Sequence, residues 1–392
     1  MEAARPMHIK APAPDTDRSA YALTRLALSN YRSYASASIA CDARPVVLAG
    51  GNGAGKTNML EAISWFAPGR GLRGAAIAEA CREQPGLAPS AWAVSSTIEG
   101  PDGVFEAGTG LAANSEGETP RRIVRINNAP ASGPAALTEI FSVLWLTPAM
   151  DRLFIEGASG RRKFLDRIAM GFVPGHAQAC VAYERATRER LRLLRDGRGE
   201  PRWLDGLEIE MARHGTAMIR NRLHAVARLM EAMGSGDSAF PAALIALEGE
   251  AETLFAADPV EATNALAARL SARRRLDESA GRTLFGPHRA DLAVRHAGRN
   301  RAAASCSTGE QKALLISLVL AAARAQSRRA VPVLLLDEVA AHLDAERRSA
   351  LFDAISAMGA QAWMTGTDMS VFLPLAERAQ LFRVADGTIT PF

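Results

Sequence analysis

Cysteine is scarce in this sequence, and no long hydrophobic run is present. The four cysteines, Cys41, Cys81, Cys180 and Cys306, form no C-x-x-C pair and no metal-ligand spacing, so we expect reduced core residues in a reducing compartment. No stretch approaches about 18 continuous apolar residues, which predicts that nothing spans a membrane. The first twenty residues lack the apolar segment of a signal peptide. These absences together predict a cytoplasmic location.

Lysine is also scarce, because only Lys10, Lys56, Lys163 and Lys312 occur among 46 basic residues. Where arginine is so strongly preferred, a lysine marks a position that favours a compact ammonium over a planar guanidinium. The net charge of +4 permits nucleic-acid binding without demanding it. A length of 392 residues is more than one small core holds, and it predicts two domains.

Lys56 lies in the segment that carries the clearest motif. Residues 45–49 (PVVLA) are typical of a buried strand, and residues 50–57 (GGNGAGKT) match G-x-x-x-x-G-K-[ST] at every fixed position. In this motif backbone N–H groups surround phosphates, the lysine reaches the β- and γ-phosphates, and the Thr57 hydroxyl ligates Mg²⁺. The motif predicts an ATP site formed by Gly50, Gly51, Asn52, Gly53, Ala54, Gly55, Lys56 and Thr57. An ordinary glycine-rich strand-to-helix turn is the alternative.

A second apolar strand, at residues 331–336, ends in Asp337 and Glu338. A buried parallel strand would place Asp337 beside the Mg²⁺ held by Thr57. Glu338, one residue further from the metal, would polarise the attacking water as the general base. The alternative is a strand that simply ends in solvent-exposed acids.

Ser307 is predicted to cap a long apolar helix, with Glu310 three residues later completing a capping box. A helix N-terminus with Ser307 and Gly309 is also an anion site. Since one subunit needs only one γ-phosphate cradle, this second cradle predicts contact with the nucleotide of a partner subunit. Asp344, in the segment 341–344, is predicted to lie at the same interface.

The middle of the chain is helical and basic. Residues 158–230 carry 15 basic and 8 acidic side chains, and residues 197–201 break the helical region into an antiparallel pair. This surplus indicates either a solvated face or a surface for DNA phosphates.

Before this helical region, residues 94–98 and 122–126 are predicted strands, and residues 100–120 are predicted to form a loop. Arg32, in a polar turn, is either a solvated residue or a phosphate contact.

The order of these motifs, with Leu-Asp following Asp-Glu, resembles that of ABC-type ATPases. Flanking residues narrow the resemblance to the RecF family, a group of SMC-like ATPases, through segments 26–34, 55–63, 160–166 and 286–289. This resemblance implies an α/β fold, an ABC/SMC-like P-loop ATPase head with an inserted, mainly helical second domain. The expected divisions are a disordered tail at 1–20, head segments at 21–150 and 281–392, and the insert at 151–280.

The resemblance also implies the activity and partners. It adds Asn58 to the phosphate site and implies ATP-dependent homodimers, weak DNA-dependent hydrolysis, and DNA binding at single-strand/double-strand gaps. It further implies cooperation with RecR and RecO in loading RecA. Departures from the family pattern at Ala149, Glu310, Ala341 and Thr367 predict slow hydrolysis.

Other machines share parts of this pattern. An ABC transporter subunit would place its signature about a hundred residues after the phosphate loop, whereas Lys56 and Ser307 are 251 apart (307 − 56). A chromosome-organising SMC protein needs hundreds of residues of heptads, and an ATPase-nuclease needs a further acidic domain. An ABC-type subunit of another machine, another SMC-like ATPase acting on DNA, and a clamp that uses ATP without hydrolysis stay open.

Overall fold

A computed structural model describes residues 20–83, 91–112, 121–197, 200–234, 239–256, 258–327, 330–340 and 343–392. Most of the predicted tail (residues 1–19), together with Ala341 and His342, lies outside these ranges. None of the helices in the described ranges has the length and apolar character needed to cross a bilayer.

The described chain forms three sheets and eight α-helices. The strands are β1 (Ala22–Tyr31), β2 (Tyr34–Ala40), β3 (Val46–Ala49), β4 (Trp92–Gly100), β5 (Gly103–Leu111), β6 (Arg122–Ile126), β7 (Ala129–Pro130), β8 (Val143–Leu146), β9 (Ala243–Glu248), β10 (Asp291–His296), β11 (Arg301–Ala302), β12 (Val333–Leu336), β13 (Ala362–Gly366), β14 (Gln380–Ala385) and β15 (Thr388–Pro391). The helices are α1 (Lys56–Ser64), α2 (Ala158–Phe172), α3 (His176–Arg195), α4 (Pro201–Met233), α5 (Pro259–Ala272), α6 (Arg274–Ala280), α7 (Thr308–Gln326) and α8 (Ala345–Met358).

The central sheet has the strand order β15–β14–β3–β13–β12–β8, and every neighbouring pair except β14–β15 is parallel. Strands β3, β8 and β12 are buried at every residue, which explains their continuous apolar sequences. The carboxyl ends of parallel strands meet at one edge, where open α/β sheets bind ligands. The residues that directly follow strands at this edge are Gly50, Thr147, Asp337, Thr367 and Asp386.

The central sheet separates two hydrophobic cores, because successive side chains of a strand point to opposite faces. Val47 and Leu336 belong to one core, which includes α7 and α8. Leu48 and Leu335 belong to the other, which includes α1 and the antiparallel sheet. Helices and a second sheet therefore cover the two faces, as the predicted α/β head requires.

The antiparallel sheet has the order β2–β1–β4–β5–β6–β7. The predicted loop at residues 100–120 is wrong for Gly103–Leu111, which forms β5 and pairs with β4 along its whole length. The chain reverses through Pro101 and Asp102, a turn pair whose glycine neighbours complete a hairpin signal. Gly110 fits this strand because a Cβ there would collide with the backbone oxygen of Trp92.

The helices between β8 and β12 pack into two hydrophobic cores. One is the first core, which includes α7 and α8, and the other is a third core. As predicted, the helical region is interrupted here, because α3 ends at Arg195 and α4 begins at Pro201. Met211 and Met218 of α4 lie in the third core with α3 and α5, whereas Leu229 and Met233 lie in the first core with α7. Helix α4 is 33 residues long, about 50 Å, and therefore connects the two.

The three-stranded sheet, in the order β11–β10–β9, joins the segment after α4 to the segment after α6. Strand β9 pairs antiparallel with β10, from Ala243–His296 to Glu248–Asp291. Two consecutive helices, α5 and α6, follow β9 and meet at Arg273.

Candidate nucleotide-binding site

The glycine-rich loop joins β3 to α1 at the carboxyl edge of the central sheet. Gly53 and Gly55 have positive φ angles of 80° and 105°, a conformation that glycine adopts without strain. A Cβ at Gly55 would lie 2.7 Å from the Tyr34 hydroxyl, and one at Gly50 would collide with the backbone oxygen of Val384. The sequence of the loop is therefore required by tight backbone packing as well as by any ligand.

Lys56 folds back over this loop. Its Nζ donates to the carbonyl oxygens of Gly50 at 2.7 Å and Gly51 at 2.8 Å, and the residue is 4% exposed. Burial lowers the pKa of Lys56, while the nearby carboxylates of Glu338 and Asp337 act in the opposite direction. The ammonium thus lies beside the backbone that would surround a phosphate.

Thr57 and Asp337 are brought together by the sheet order. The Thr57 hydroxyl donates to Asp337 Oδ1 at 2.9 Å, and Asp337 is 6% exposed. A hydroxyl and a carboxylate in contact are the hard oxygen ligands that Mg²⁺ prefers. These two residues therefore fit the magnesium site expected from the sequence.

Thr365, at the end of β13, completes the arrangement. Its Oγ1 donates to Asp337 Oδ1 at 2.7 Å and accepts from the backbone N–H of Glu338 at 2.9 Å. Glu338 is half-buried and has a φ of 53°, which is rare for a residue other than glycine. Thr365 therefore positions both acidic residues.

Arg32 lies beside α1 and is held by protein acceptors. Its Nε and Nη2 donate to the Glu61 carboxylate at 2.8 and 2.7 Å, and Nη1 donates to the carbonyl of Glu79 at 2.5 Å. The hydrogen bonds that Arg32 donates to Glu61 raise the pKa of Arg32, and Glu61 itself is fully buried. Asn58 donates to Ser33 Oγ at 2.9 Å in the same region. A phosphate contact by Arg32 or Asn58 stays a prediction.

The predicted partner-facing residues begin two helices. Ser307 caps α7 through the expected capping box: its N–H donates to Glu310 Oε2 at 2.8 Å and its Oγ accepts from Glu310 N at 3.4 Å. Asp344 caps α8 by accepting from the N–H of Arg347 at 2.8 Å. Ser307, Gly309 and Asp344 are exposed, so each is accessible to a second molecule.

A cavity of about 400 Å³ lies beside the loop. Gly50 and Gly51 form one side of it, and Thr367, Asp368 and Arg383 contribute to the rest. Arg383 pairs in register with Ala49, directly before the loop. Arg383 was not predicted as a site residue, because the parallel pairing of β14 with β3 is a tertiary feature.

Asp166, His176 and Cys180 form a second cluster, with ligand atoms within 4.8 Å of one another. The Arg222 guanidinium donates to both Asp166 oxygens, at 2.7 and 2.9 Å. The carboxylate is therefore already paired with a cation. Burial raises the pKa of Asp166, but Arg222 and His176 outweigh it and hold the pKa at about 2. We interpret the cluster as an ion pair that joins α2 to α4.

Comparison with known proteins identifies the family of the chain. The family described as the RecF/RecN/SMC N terminal domain matches residues 22–390. A DNA replication and repair protein RecF from Rhizobium etli (strain CIAT 652) is 48% identical over 372 residues, covering 94% of this chain and 98% of that protein. The RecF protein of Agrobacterium fabrum is 46% identical with the same coverage.

Solved structures show the same fold. A recombination mediator protein RecF in complex with ATP, of the RecFOR pathway, is 22% identical and superposes with a TM-score of 0.81. That match covers 96% of this chain and 99% of the other. The Smc head domain of Pyrococcus furiosus, 15% identical, has a TM-score of 0.54 over 95% of this chain and 96% of its own. The chain therefore has an SMC-type ATPase head and belongs to the RecF family of DNA replication and repair proteins.

Proposed function

We propose that this chain is a weak, DNA-dependent ATPase that dimerises on ATP and acts on gapped DNA in replication and recombinational repair. The observation that carries the proposal is the contact of Thr57 with Asp337 beside the buried Lys56. A phosphate loop joined directly to an acidic strand end is the arrangement that a Mg²⁺–nucleotide complex requires. The names of the relatives support the role on DNA.

Within the site, each residue has a proposed task. The backbone of residues 50–55 and the start of α1 at Lys56, Thr57 and Asn58 hold the phosphates. Thr57 and Asp337 hold Mg²⁺, which when bound neutralises charge on the phosphates. Glu338 accepts the proton of the attacking water as general base.

The dimer supplies the remaining contacts. The exposed helix starts at Ser307–Gly309 and at Asp344 offer N–H groups to an anion of a second copy. Because a single subunit then holds only part of each site, hydrolysis depends on association and is slow.

We also propose the division of the chain and its partners. Residues 21–150 and 281–392 form the head, and residues 151–280 form the inserted helical domain, which offers basic surface to DNA. Gaps with single-strand/double-strand junctions are the proposed substrate, and RecR and RecO are the proposed partners in loading RecA. The RecFOR pathway named for the similar solved structure supports these partners. A role on bacterial DNA implies the cytoplasm.

Fluorescence anisotropy of a labelled gapped duplex, with and without ATP, tests the proposal. We expect ATP to strengthen DNA binding by the wild type and to have no effect on Lys56→Ala, which loses the ammonium of the phosphate loop. Arg44→Ala, at an exposed basic position of the head outside both the loop and the inserted helical domain, is the control and should behave as wild type.

The outcomes also separate the alternatives. ATP-dependent DNA binding excludes a transporter subunit, whereas ATP binding without any DNA binding favours an ABC-type subunit of another machine. Unchanged nucleotide affinity in Lys56→Ala would contradict the assignment of the phosphate site itself.

A further inference from the structure

The helical hairpin of α3 and α4 carries an open groove of about 650 Å³. Its lining includes residues at positions i, i+4 and i+7 of each helix, so one face of each helix forms the groove. These are Arg185, Glu189 and Arg192 from α3, and Trp203, Leu207 and Glu210 from α4. The groove lies outside the nucleotide site.

Trp203 is unlike the other tryptophans of the chain. Its exposed fraction is 67%, whereas those of Trp65, Trp92, Trp145 and Trp363 are 4% or less. A large aromatic ring that is left in solvent offers a flat apolar face for stacking. The groove therefore needs an occupant that can lie against an indole.

Two arginines and two glutamates line the groove, and the one of these four charges without a charged partner among the described residues is an arginine. Its two carboxylates are already paired: Glu189 accepts from Arg192 at 3.1 Å, and Glu210 accepts from Arg213 at 2.8 Å. By contrast, Arg185 has no hydrogen-bond or ion-pair partner for its guanidinium among the described residues. The same holds, over those residues, for two exposed neighbours on the hairpin, Arg188 and Arg202.

Exposed arginines without an ion-pair partner among the described residues, next to an exposed indole, are complementary to single-stranded nucleic acid. Bases that are free of a duplex can stack on an aromatic ring, and their phosphates can pair with the arginines. Duplex DNA keeps its bases stacked internally and would leave the ring of Trp203 unused.

We propose that the α3–α4 groove binds single-stranded DNA, with a base stacked on Trp203 and adjacent phosphates at Arg185 and Arg188. This inference rests on the proposed DNA function and deepens it by naming the surface that recognises the single-stranded part of a gap.

Tryptophan fluorescence and anisotropy test this proposal on the full chain with ATP. Because the other four tryptophans are buried, unlabelled oligo(dT) should quench mainly Trp203, and a blunt duplex should not. In anisotropy with labelled oligo(dT), Trp203→Ala should weaken binding on the order of ten-fold, and Trp203→Phe should retain most of the affinity. Ile209→Ala, at an exposed position of α4 outside the groove lining, is the control and should bind as wild type.

Three results would overturn the assignment. Equal affinities of wild type and Trp203→Ala for oligo(dT) would contradict the assignment of the groove without contradicting the proposed function on DNA. Binding of a gapped duplex without any binding of oligo(dT) would do the same. Failure of the wild type to bind any DNA would overturn both the groove and the proposed function.

Discussion

The Thr57 hydroxyl and the Asp337 carboxylate are in hydrogen-bond contact at 2.9 Å, although 280 residues separate them in the chain. Parallel pairing produces this contact, because β3 and β12 are both neighbours of β13 and all three end at the same edge. Both ends of the proposed Mg²⁺ site are therefore positioned by buried strands. Each prediction about the chemistry depends on that placement.

Glu338→Gln tests the general base. The substitution keeps the shape of the side chain and removes its ability to accept a proton, so we expect the hydrolysis rate to fall by about 10²- to 10⁴-fold. ATP binding and ATP-dependent dimerisation should persist, because Glu338 is not among the proposed phosphate ligands. Steady-state phosphate release, with light scattering for dimers, measures both properties.

Glu377→Gln is the control for this substitution, since Glu377 is exposed and lies outside the site. Equal hydrolysis rates in wild type and Glu338→Gln would remove Glu338 from the base role. Absence of hydrolysis in both proteins would instead favour the clamp that uses ATP without hydrolysis.

Thr365 links the two acidic residues and is 1% exposed. Thr365→Val preserves volume but leaves the N–H of Glu338 without its acceptor, which costs about 1–3 kcal/mol of unfolding free energy. We also expect Mg²⁺ to increase the affinity for ATP less than it does in the wild type, because Asp337 loses one of the two hydroxyl donors that orient it. Urea denaturation and a Mg²⁺ titration with fluorescent ATP check these effects.

Thr365→Ser keeps the hydroxyl and should therefore retain both the stability and the Mg²⁺ dependence of the wild type. If Thr365→Val and Thr365→Ser have the same Mg²⁺ dependence as wild type, Thr365 acts only in packing.

The parts of the site that consist of short, contiguous sequence motifs could be predicted from the sequence. The loop at residues 50–57, the capping box of Ser307 and Glu310, and the acidic end of β12 each depend on a few consecutive residues. Their local chemistry is the same in any fold. The predicted ABC/SMC-like α/β head follows from their order along the chain, and the comparisons confirm it.

The sequence failed where tertiary pairing decides the outcome. Strand β5 was taken for a loop because glycine and acidic residues are typical of loops, yet Gly110 is required by close approach to Trp92. Arg32 gave no sign of its pairing with Glu61, since a turn residue and a helix residue 29 positions later meet only in the folded chain. The exposure of Trp203 could not be inferred from the sequence, because Leu207 lies one helical turn later on the same face.

Ser307→Arg tests the proposed contact with a second copy. The bulky charge at the start of α7 should abolish ATP-dependent dimers, while ATP binding by the monomer stays intact. Ser307→Ala is the matched control, because it removes the same helix cap, at a cost of about 1 kcal/mol, without adding bulk. Normal ATP-dependent dimers of Ser307→Arg in light scattering would contradict the shared site.

Asp166→Asn tests the ion pair with Arg222 through its pH dependence. The folded-state pKa of Asp166 is about 2, below its usual value of 3.8, so ionisation of this carboxyl stabilises the fold at neutral pH. That stabilisation is complete above about pH 4 and is lost as the pH falls through 2. We expect the variant to lose at least about 2 kcal/mol of unfolding free energy at pH 7.

Urea denaturation between pH 3 and pH 7 measures this difference, and Asp196→Asn, at an exposed position after α3, is the control. The gap between wild type and Asp166→Asn should be constant above about pH 5 and should shrink at pH 3, because the wild type then loses part of its advantage. A gap that stays the same at every pH would show that Asp166 stabilises the fold by packing and hydrogen bonding. The ionised carboxylate would then have no part in joining α2 to α4.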